Sequence, residues 1–116
     1  MANKTQMLKG ILEGCVLSII NDGKCYSGDL AVVLKSYGFT DISSGTIFPL
    51  LLRLEKDGLV STYRVPNELG PMRKYYELTE KGKEELKAFT EMWQETKNIV
   101  NKILKIDSYF NASYRG

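Results

Sequence analysis

Residues 44–56, SGTIFPLLLRLEK, are the stretch that decides the fold. At about 100° per residue, four large apolar side chains converge on one face of a helix: Ile47, Leu50, Leu51 and Leu54. The opposite face carries Gly45, Pro49, Arg53 and Lys56, with Thr46 and Phe48 on its flanks. Proline is tolerated near a helix start, where backbone N–H groups lack partners, so the geometry of the first turn stays open. The pattern predicts a helix that docks by one face and presents small, polar and basic groups on the other.

Two further helices are predicted before this stretch. Residues from about Lys4 to Ile20 place apolar side chains at three-and-four spacing, which is typical of an amphipathic helix. Asp22-Gly23 ends it, because glycine readily takes the left-handed conformation of a helix stop. Ser27 is predicted to cap a second helix that Gly38 closes. Asp57-Gly58 ends the third helix in the same way.

Two β-prone runs follow the third helix. Leu59–Val65 and Arg73–Leu78 are rich in Val, Tyr and Thr, and the composition of Pro66–Met72 predicts a loop between them. Three helices followed by a β-hairpin is the order of a winged helix-turn-helix, a mainly α, α+β fold. We therefore expect a winged helix-turn-helix domain at residues 1–78, with the wing at about 59–78.

A long amphipathic helix is predicted at residues 79–106, with Thr79 as its cap. Its largest apolar side chains alternate three and four positions apart along a seam, if one threonine is included: Leu86, Phe89, Trp93, Thr96, Val100 and Ile103. Such a seam is coiled-coil-like and longer than one small domain needs for its own core. It predicts a dimerisation helix, and residues 107–116 are expected to be a flexible polar tail.

The positive charge is confined to one segment of a nearly neutral chain. The 116 residues carry a formal charge of +2, and this surplus lies in residues 42–83, with seven basic residues against five acidic ones. Within residues 60–76, the basic residues Arg64, Arg73 and Lys74 are balanced by Glu68 alone. A local basic surface predicts an anionic partner, with wing cations near phosphates and Ser44, Thr46 and Arg53 near bases.

Composition also argues against several other classes of protein. The chain has no histidine, no apolar run long enough to span a bilayer and no secretory signal, so the cytoplasm is the default location. Cys15 and Cys25 lack metal-site or CxxC spacing and are expected to be reduced packing residues, with a redox-sensing Cys25 as the alternative. The paired carboxylates of residues 84–95 are interleaved with lysines, as on a solvated face. We expect no enzyme, no metal and no cofactor.

Several linked motifs carry a resemblance to a known family. They are Ser44-Gly45-Thr46-Ile47-Phe48-Pro49-Leu50-Leu51, Arg53-Leu54-Glu55, Gly58-Leu59-Val60 and the run from Gly70 to Thr79, with Gly82. In this order they closely resemble the PadR family of transcriptional regulators over about residues 8–82. The resemblance implies a cytoplasmic repressor that binds a palindromic double-stranded operator as a homodimer, with half-sites about 34 Å apart.

The resemblance also assigns functions to individual residues. It makes the third helix the major-groove reader and the strand with Arg73 and Lys74 the basic side of the wing. The complete predicted DNA-binding set is Ser43, Ser44, Thr46, Phe48, Pro49, Arg53, Lys56, Arg64, Arg73 and Lys74. The chain departs from the family where Phe48 replaces a usual tyrosine, and where residues 26–30, YSGDL, replace Tyr-Gly-Tyr-Glu-Ile.

The predicted dimer and effector sites involve both ends of the chain. Family members dimerise through the C-terminal helix packed on the partner's first helix, which adds Leu8 and Ile11 to the seam residues. The chain is similar to multidrug-responsive members with a short C-terminal helix, in which a paired tryptophan sandwiches flat aromatic drugs. The implied site for a small aromatic or cationic ligand comprises Met7, Gly10, Gly14, Phe89, Thr90, Trp93 and Lys97. Close packing of Trp93 without a cavity remains an alternative.

A second class of function is compatible with the same fold. A winged helix can dock a partner protein through its recognition helix, and the modest net charge of +2 is the feature that favours such an interaction module. The two hypotheses differ in DNA binding, because a regulator should retard random DNA at low salt whereas an adaptor should not.

Overall fold

The computed structural model describes residues 7–8, 10–23 and 25–106. Their backbone includes four helices and three strands: α1 (Leu12–Asn21), β1 (Cys25–Tyr26), α2 (Ser27–Tyr37), α3 (Ser44–Lys56), β2 (Val60–Asn67), β3 (Gly70–Leu78) and α4 (Glu80–Leu104). Three helices, a β-hairpin and a long final helix confirm the predicted winged helix-turn-helix architecture. The tail predicted at residues 107–116 lies outside the described residues.

The first helix differs from its prediction at the N-terminal end. Met7 and Leu8 are helical, but Gly10 and Ile11 form a turn, and α1 begins only at Leu12. Glycine in a helix interior costs about 1 kcal/mol relative to alanine, which favours a break at Gly10. The prediction of one uninterrupted helix from Lys4 is therefore wrong over this part of the chain.

The start of α2 is shifted by one residue from the predicted cap at Ser27. Tyr26 occupies the cap position with an extended backbone, and its N–H donates a hydrogen bond to the Asp29 carboxylate at 3.5 Å. Tyr26 is extended because it pairs with Tyr75 in the sheet. The predicted stops are confirmed, since Gly38 and Gly58 follow α2 and α3 with φ values of 121° and 76°.

The core of the winged region is built around the apolar face of α3. Leu51 and Leu54 are 0% exposed, and Ile47 and Leu50 are also buried, so this face docks as predicted. Its neighbours come from the first two helices and the sheet, and include Leu17, Ile20, Leu30, Leu34, Val60 and Tyr76. This packing fixes the orientation of α3 and leaves its opposite face exposed.

The junction between the sheet and α4 is tightly packed. The Thr79 hydroxyl accepts a hydrogen bond from the Gly82 N–H at 3.0 Å, which confirms Thr79 as the cap of α4. Its hydroxyl also donates to the Gly58 carbonyl at 2.7 Å. Gly82 lies against the backbone of Leu59, and a Cβ at this position would overlap the Leu59 carbonyl. Only glycine therefore permits this approach of α4 to the wing.

The sheet is antiparallel, with the order β1-β3-β2, and contains a strand that sequence analysis missed. The hairpin is also longer than predicted, because the turn comprises only Glu68 and Leu69 rather than all of Pro66–Met72. Pro66 is tolerated because β2 is an edge strand, where a ladder hydrogen bond from its nitrogen is not required. The Asn67 side chain closes the turn by accepting a hydrogen bond from the Leu69 N–H at 3.3 Å.

The chain divides into two compact units after Leu86. The first includes the start of α4, where Leu86 packs against the core. The described part of the second is residues 87–106, and none of these residues is buried. Among the described residues, no helix is both long and apolar enough to cross a membrane.

Candidate nucleic-acid interface

The face of α3 opposite its apolar side is exposed along its whole length. Ser43 precedes the helix with an extended backbone at φ −98° and ψ 164°. The predicted base-reading and flanking positions are all exposed: Ser43, Ser44, Thr46, Phe48, Pro49, Arg53 and Lys56. This surface combines an aromatic ring with hydroxyl groups and two cations, and the hydroxyl groups and cations can donate hydrogen bonds to bases and phosphates.

Pro49 lies inside α3 without interrupting it, which resolves the geometry that the sequence left open. Proline has no N–H to donate to the carbonyl four residues earlier, which here belongs to Gly45. The preceding turn is intact, since the N–H groups of Thr46 and Ile47 both donate to the Ser43 carbonyl, at 3.0 and 3.2 Å. The exposed first turn of α3 is thus fully helical despite the proline.

The three predicted wing cations occupy different environments. Arg64 and Lys74 are directly opposite each other in the β2–β3 register, and Arg73 is opposite Val65. Arg64 and Arg73 are exposed, whereas the Lys74 side chain is only 29% exposed. The hairpin therefore presents two arginines to solvent and holds its lysine closer to the protein.

A row of three tyrosines crosses the sheet beside Arg73. Tyr26, Tyr75 and Tyr63 lie on β1, β3 and β2, with ring centroids 5.6 and 5.7 Å apart. The Arg73 guanidinium lies 4.6 Å from the centroid of the Tyr26 ring, and Gly28 leaves room for that ring because a Cβ there would contact it. Stacking of this kind restricts an arginine side chain while leaving its N–H donors available.

Two ion pairs connect α3 to its surroundings. Arg53 donates to the Glu13 carboxylate of α1 at 3.2 Å, and Lys74 of β3 donates to Glu55 at 3.1 Å. The Arg53 side chain remains 55% exposed, so its guanidinium is accessible from solvent. The first pair joins α3 to the first helix, and the second joins it to the wing.

The sequence and the fold are similar to those of known proteins. Residues 16–88 match the transcriptional regulator PadR-like family. The chain belongs to this family. A PadR-like transcriptional regulator from Bacillus cereus is 44% identical, with 88% of this chain and 99% of that chain covered at a TM-score of 0.79. A Streptococcus transcriptional regulator is 40% identical, with 86% and 98% covered at a TM-score of 0.78.

A third solved structure, that of Bacillus subtilis PadR in complex with operator DNA, has the same fold. It is 22% identical, with 72% of this chain and 48% of that chain covered, at a TM-score of 0.64. PadR-like proteins are transcriptional regulators, so this PadR-like chain is a regulator and not an enzyme.

The dimer and effector residues predicted for this PadR-like chain are distributed over both compact units. In the first unit, Leu8 and Gly14 are buried, Ile11 and Leu86 are half-buried, and Met7 and Gly10 are exposed. In the second, Phe89 is half-buried and the others are exposed: Thr90, Trp93, Thr96, Lys97, Val100 and Ile103. Leu8 belongs to the core of its own subunit, whereas 42% of Trp93 remains accessible.

The two cysteines are poorly suited to redox chemistry in this PadR-like fold. Burial raises the pKa of the Cys15 thiol. Burial, with a smaller effect from the Asp29 charge, raises the pKa of the Cys25 thiol to about 11. With raised pKa values, both thiols stay protonated at neutral pH. Because the thiolate is the reactive form of cysteine, this favours the packing role over a redox sensor.

Sequence analysis missed the partners of the basic residues in the PadR-like interface. Glu13 and Glu55 are separated from Arg53 and Lys74 by long stretches of chain, and no local pattern indicates their pairing. Strand β1 has two residues, too few for any alternation to be recognised. The available signal was the abundance of tyrosine near both hairpin strands, which favours a sheet but does not indicate a third strand.

Proposed function

We propose that this PadR-like chain is a cytoplasmic repressor that binds a palindromic DNA operator as a homodimer and is released by a small aromatic effector. The observation that carries the proposal is the exposed polar face of α3 beside a wing with two exposed arginines. In this arrangement α3 enters the major groove and the hairpin follows the backbone.

The proposed DNA contacts follow from side-chain chemistry. Ser43, Ser44, Thr46 and Arg53 read base edges, because hydroxyl and guanidinium groups donate hydrogen bonds in the major groove. Phe48, Pro49 and Lys56 border that surface. Arg64 and Arg73 bind phosphates, which supplies affinity without sequence preference. Arg53 must leave Glu13 in order to bind DNA. Because this ion pair is partly exposed, breaking it costs little free energy.

The proposed dimer is supported by the apolar surface of α4. Trp93 is 42% exposed, Val100 42% and Ile103 70%, and all three belong to the seam predicted from sequence. A helix with such a seam is stabilised when a second helix covers it. A second copy of the chain is the proposed occupant, since it presents the same self-complementary seam.

The proposed effector site is centred on Trp93 at the dimer axis. Phe89, Thr90 and Lys97 lie on the same helix, and Met7, Gly10 and Gly14 come from the first helical region. Glu91 supplies negative charge that favours aromatic cations, and Glu13 supplies less because Arg53 pairs with it at 3.2 Å. An effector that changes the angle between the two winged regions lowers DNA affinity, typically by about 5–150-fold for a coupling of this kind.

The proposal is tested by the salt dependence of DNA binding. Arg73→Ala should weaken binding to every duplex sequence and reduce the slope of log affinity against log salt concentration by about one. Lys102→Ala, which removes the same charge from the last turn of α4, should leave the slope unchanged. Filter binding between low and moderate salt measures both slopes. Wild-type protein that fails to retard random DNA at low salt would instead favour the protein-interaction module.

A further inference from the structure

A single carboxylate bonds both strands of the wing to the recognition helix. Glu55 is in the last turn of α3, and its Oε1 accepts a hydrogen bond from Lys74 Nζ of β3 at 3.1 Å. Its Oε2 accepts a hydrogen bond from Thr62 Oγ1 of β2 at 3.4 Å. We call these three residues the Glu55 clasp.

The environment of Lys74 shows why its charge faces inward. Its ammonium lies 5.6 Å from the centroid of Tyr76, a ring that is only 2% exposed. Arg64 is directly opposite Lys74 in the hairpin register, and like charges in that position repel. Glu55 offsets the Lys74 charge and thereby reduces this repulsion, and Arg64, which projects from the same face of the hairpin, is exposed.

We infer that Glu55 is a positioning residue that holds the wing at a set distance from α3, and that Lys74 acts through Glu55 rather than on phosphate. The inference rests on the proposed DNA-binding function. Base contacts from α3 and phosphate contacts from the wing must form together on an operator. A preformed spacing between the wing and α3 avoids the entropy cost of ordering them when the operator binds. Non-specific binding does not require base contacts and phosphate contacts to form in register.

Electrostatics and positioning give opposite expectations for Glu55→Gln. Removing a negative charge beside the wing should, by charge alone, strengthen binding to any DNA. Loss of the clasp should instead weaken binding to the preferred sequence. The ratio of specific to non-specific affinity therefore separates the two effects, and a purely structural loss of stability would lower both affinities together.

The experiment uses two duplexes and full-length protein. One duplex is enriched from a random 30-base-pair pool by the wild-type chain, and the other is a scrambled sequence of equal composition. Glu55→Gln should bind the enriched duplex about three- to fivefold more weakly, the upper part of the range expected for a partly exposed ion pair, and the scrambled duplex no more weakly. Glu68→Gln, at the exposed hairpin tip, removes the same charge without touching the clasp and should not lower the ratio.

Lys74 supplies the second arm of the test. Lys74→Met should reduce the ratio as Glu55→Gln does, and the double variant should be no worse than either single one, because both remove the same interaction. The salt slope should be unchanged in Lys74→Met and lower by about one in Arg64→Met. If Glu55→Gln proves unstable, Thr62→Val takes its place in the test. This variant leaves the charge unaltered and should lower the ratio of specific to non-specific affinity by a smaller factor.

Distinct results overturn distinct claims. If Lys74→Met reduces the salt slope as much as Arg64→Met does, Lys74 is an ordinary phosphate contact, and the positioning role of the Glu55 clasp is rejected. Equal strengthening of both duplexes by Glu55→Gln would also reject it. If the wild-type chain binds neither duplex and enriches no sequence, the proposed function fails, and the role of the clasp in DNA binding fails with it.

Discussion

The winged unit and the C-terminal stretch of α4 contain similar apolar residues but differ in how far those residues are buried. In the winged unit Leu51 and Leu54 are 0% exposed, and the helices and the sheet enclose them. In residues 87–106 no side chain is buried, and Ile103 is 70% exposed. A helix can bury only the stripe that another element covers. A single chain therefore buries the apolar residues of the first unit and leaves those of residues 87–106 exposed.

This difference shows which apolar residues stabilise the subunit and which are available to a partner. Leu86, in the seam predicted for dimerisation, packs against the core of its own chain, and Leu8 is buried there as well. Trp93, Val100 and Ile103 do not belong to this core. The residues that mediate the proposed dimer are therefore concentrated in the second unit.

The largest expected effect contrasts the same truncation in the two regions. Leu51→Ala should lower the free energy of unfolding by about 2–5 kcal/mol at every protein concentration, because it leaves a cavity in the core. Ile103→Ala should lower the free energy of unfolding only through the proposed dimer. The difference from wild type should therefore disappear at protein concentrations low enough for the wild-type chain to be monomeric. Urea unfolding at two concentrations measures both. An equal loss from Ile103→Ala at both concentrations would mean that the second unit has a core of its own.

A charge on the seam should have a smaller effect that is confined to assembly. Ile103→Glu should raise the dissociation constant of the proposed dimer by about tenfold or more, since its carboxylate would have to lose water in the interface. Lys102→Glu adds the same carboxylate one position off the seam and is the control. Sedimentation equilibrium measures the dissociation constants. Equal weakening by both variants, or a monomeric wild-type chain, would contradict the seam as the contact surface.

The smallest expected signal is optical. Trp93 is the single tryptophan in the sequence, so emission changes on ligand addition belong to it. Acridine orange, a planar aromatic cation, should quench the emission with a stoichiometry of one per proposed dimer, and the Ile103→Glu variant should lose this response. Fluorescein, a planar anion, should bind more weakly if Glu13 and Glu91 border the site. No difference between the two dyes would remove the proposed charge selectivity.

Most of the fold was predictable because its elements carry local patterns. The apolar face of α3, the stops at Gly38 and Gly58 and the cap at Thr79 depend on residues within a few positions of one another. Two of the errors occur where distant segments pair, because strand β1 and the shifted start of α2 both follow from the pairing of Tyr26 with Tyr75. The other two are local, since the short hairpin turn follows from the pairing of Asn67 with Gly70 and the helix break follows from the cost of Gly10 inside a helix.

The candidate interface shows the same division. The sequence by itself determined which side chains lie on the outer face of α3 and which strands carry positive charge, because helical and strand periodicity are local properties. Only the tertiary structure decided which cations are paired, since Arg53 meets Glu13 and Lys74 meets Glu55 through contacts between separate elements. Charge is a property of the residue, but its availability depends on what the fold places within a few ångströms of it.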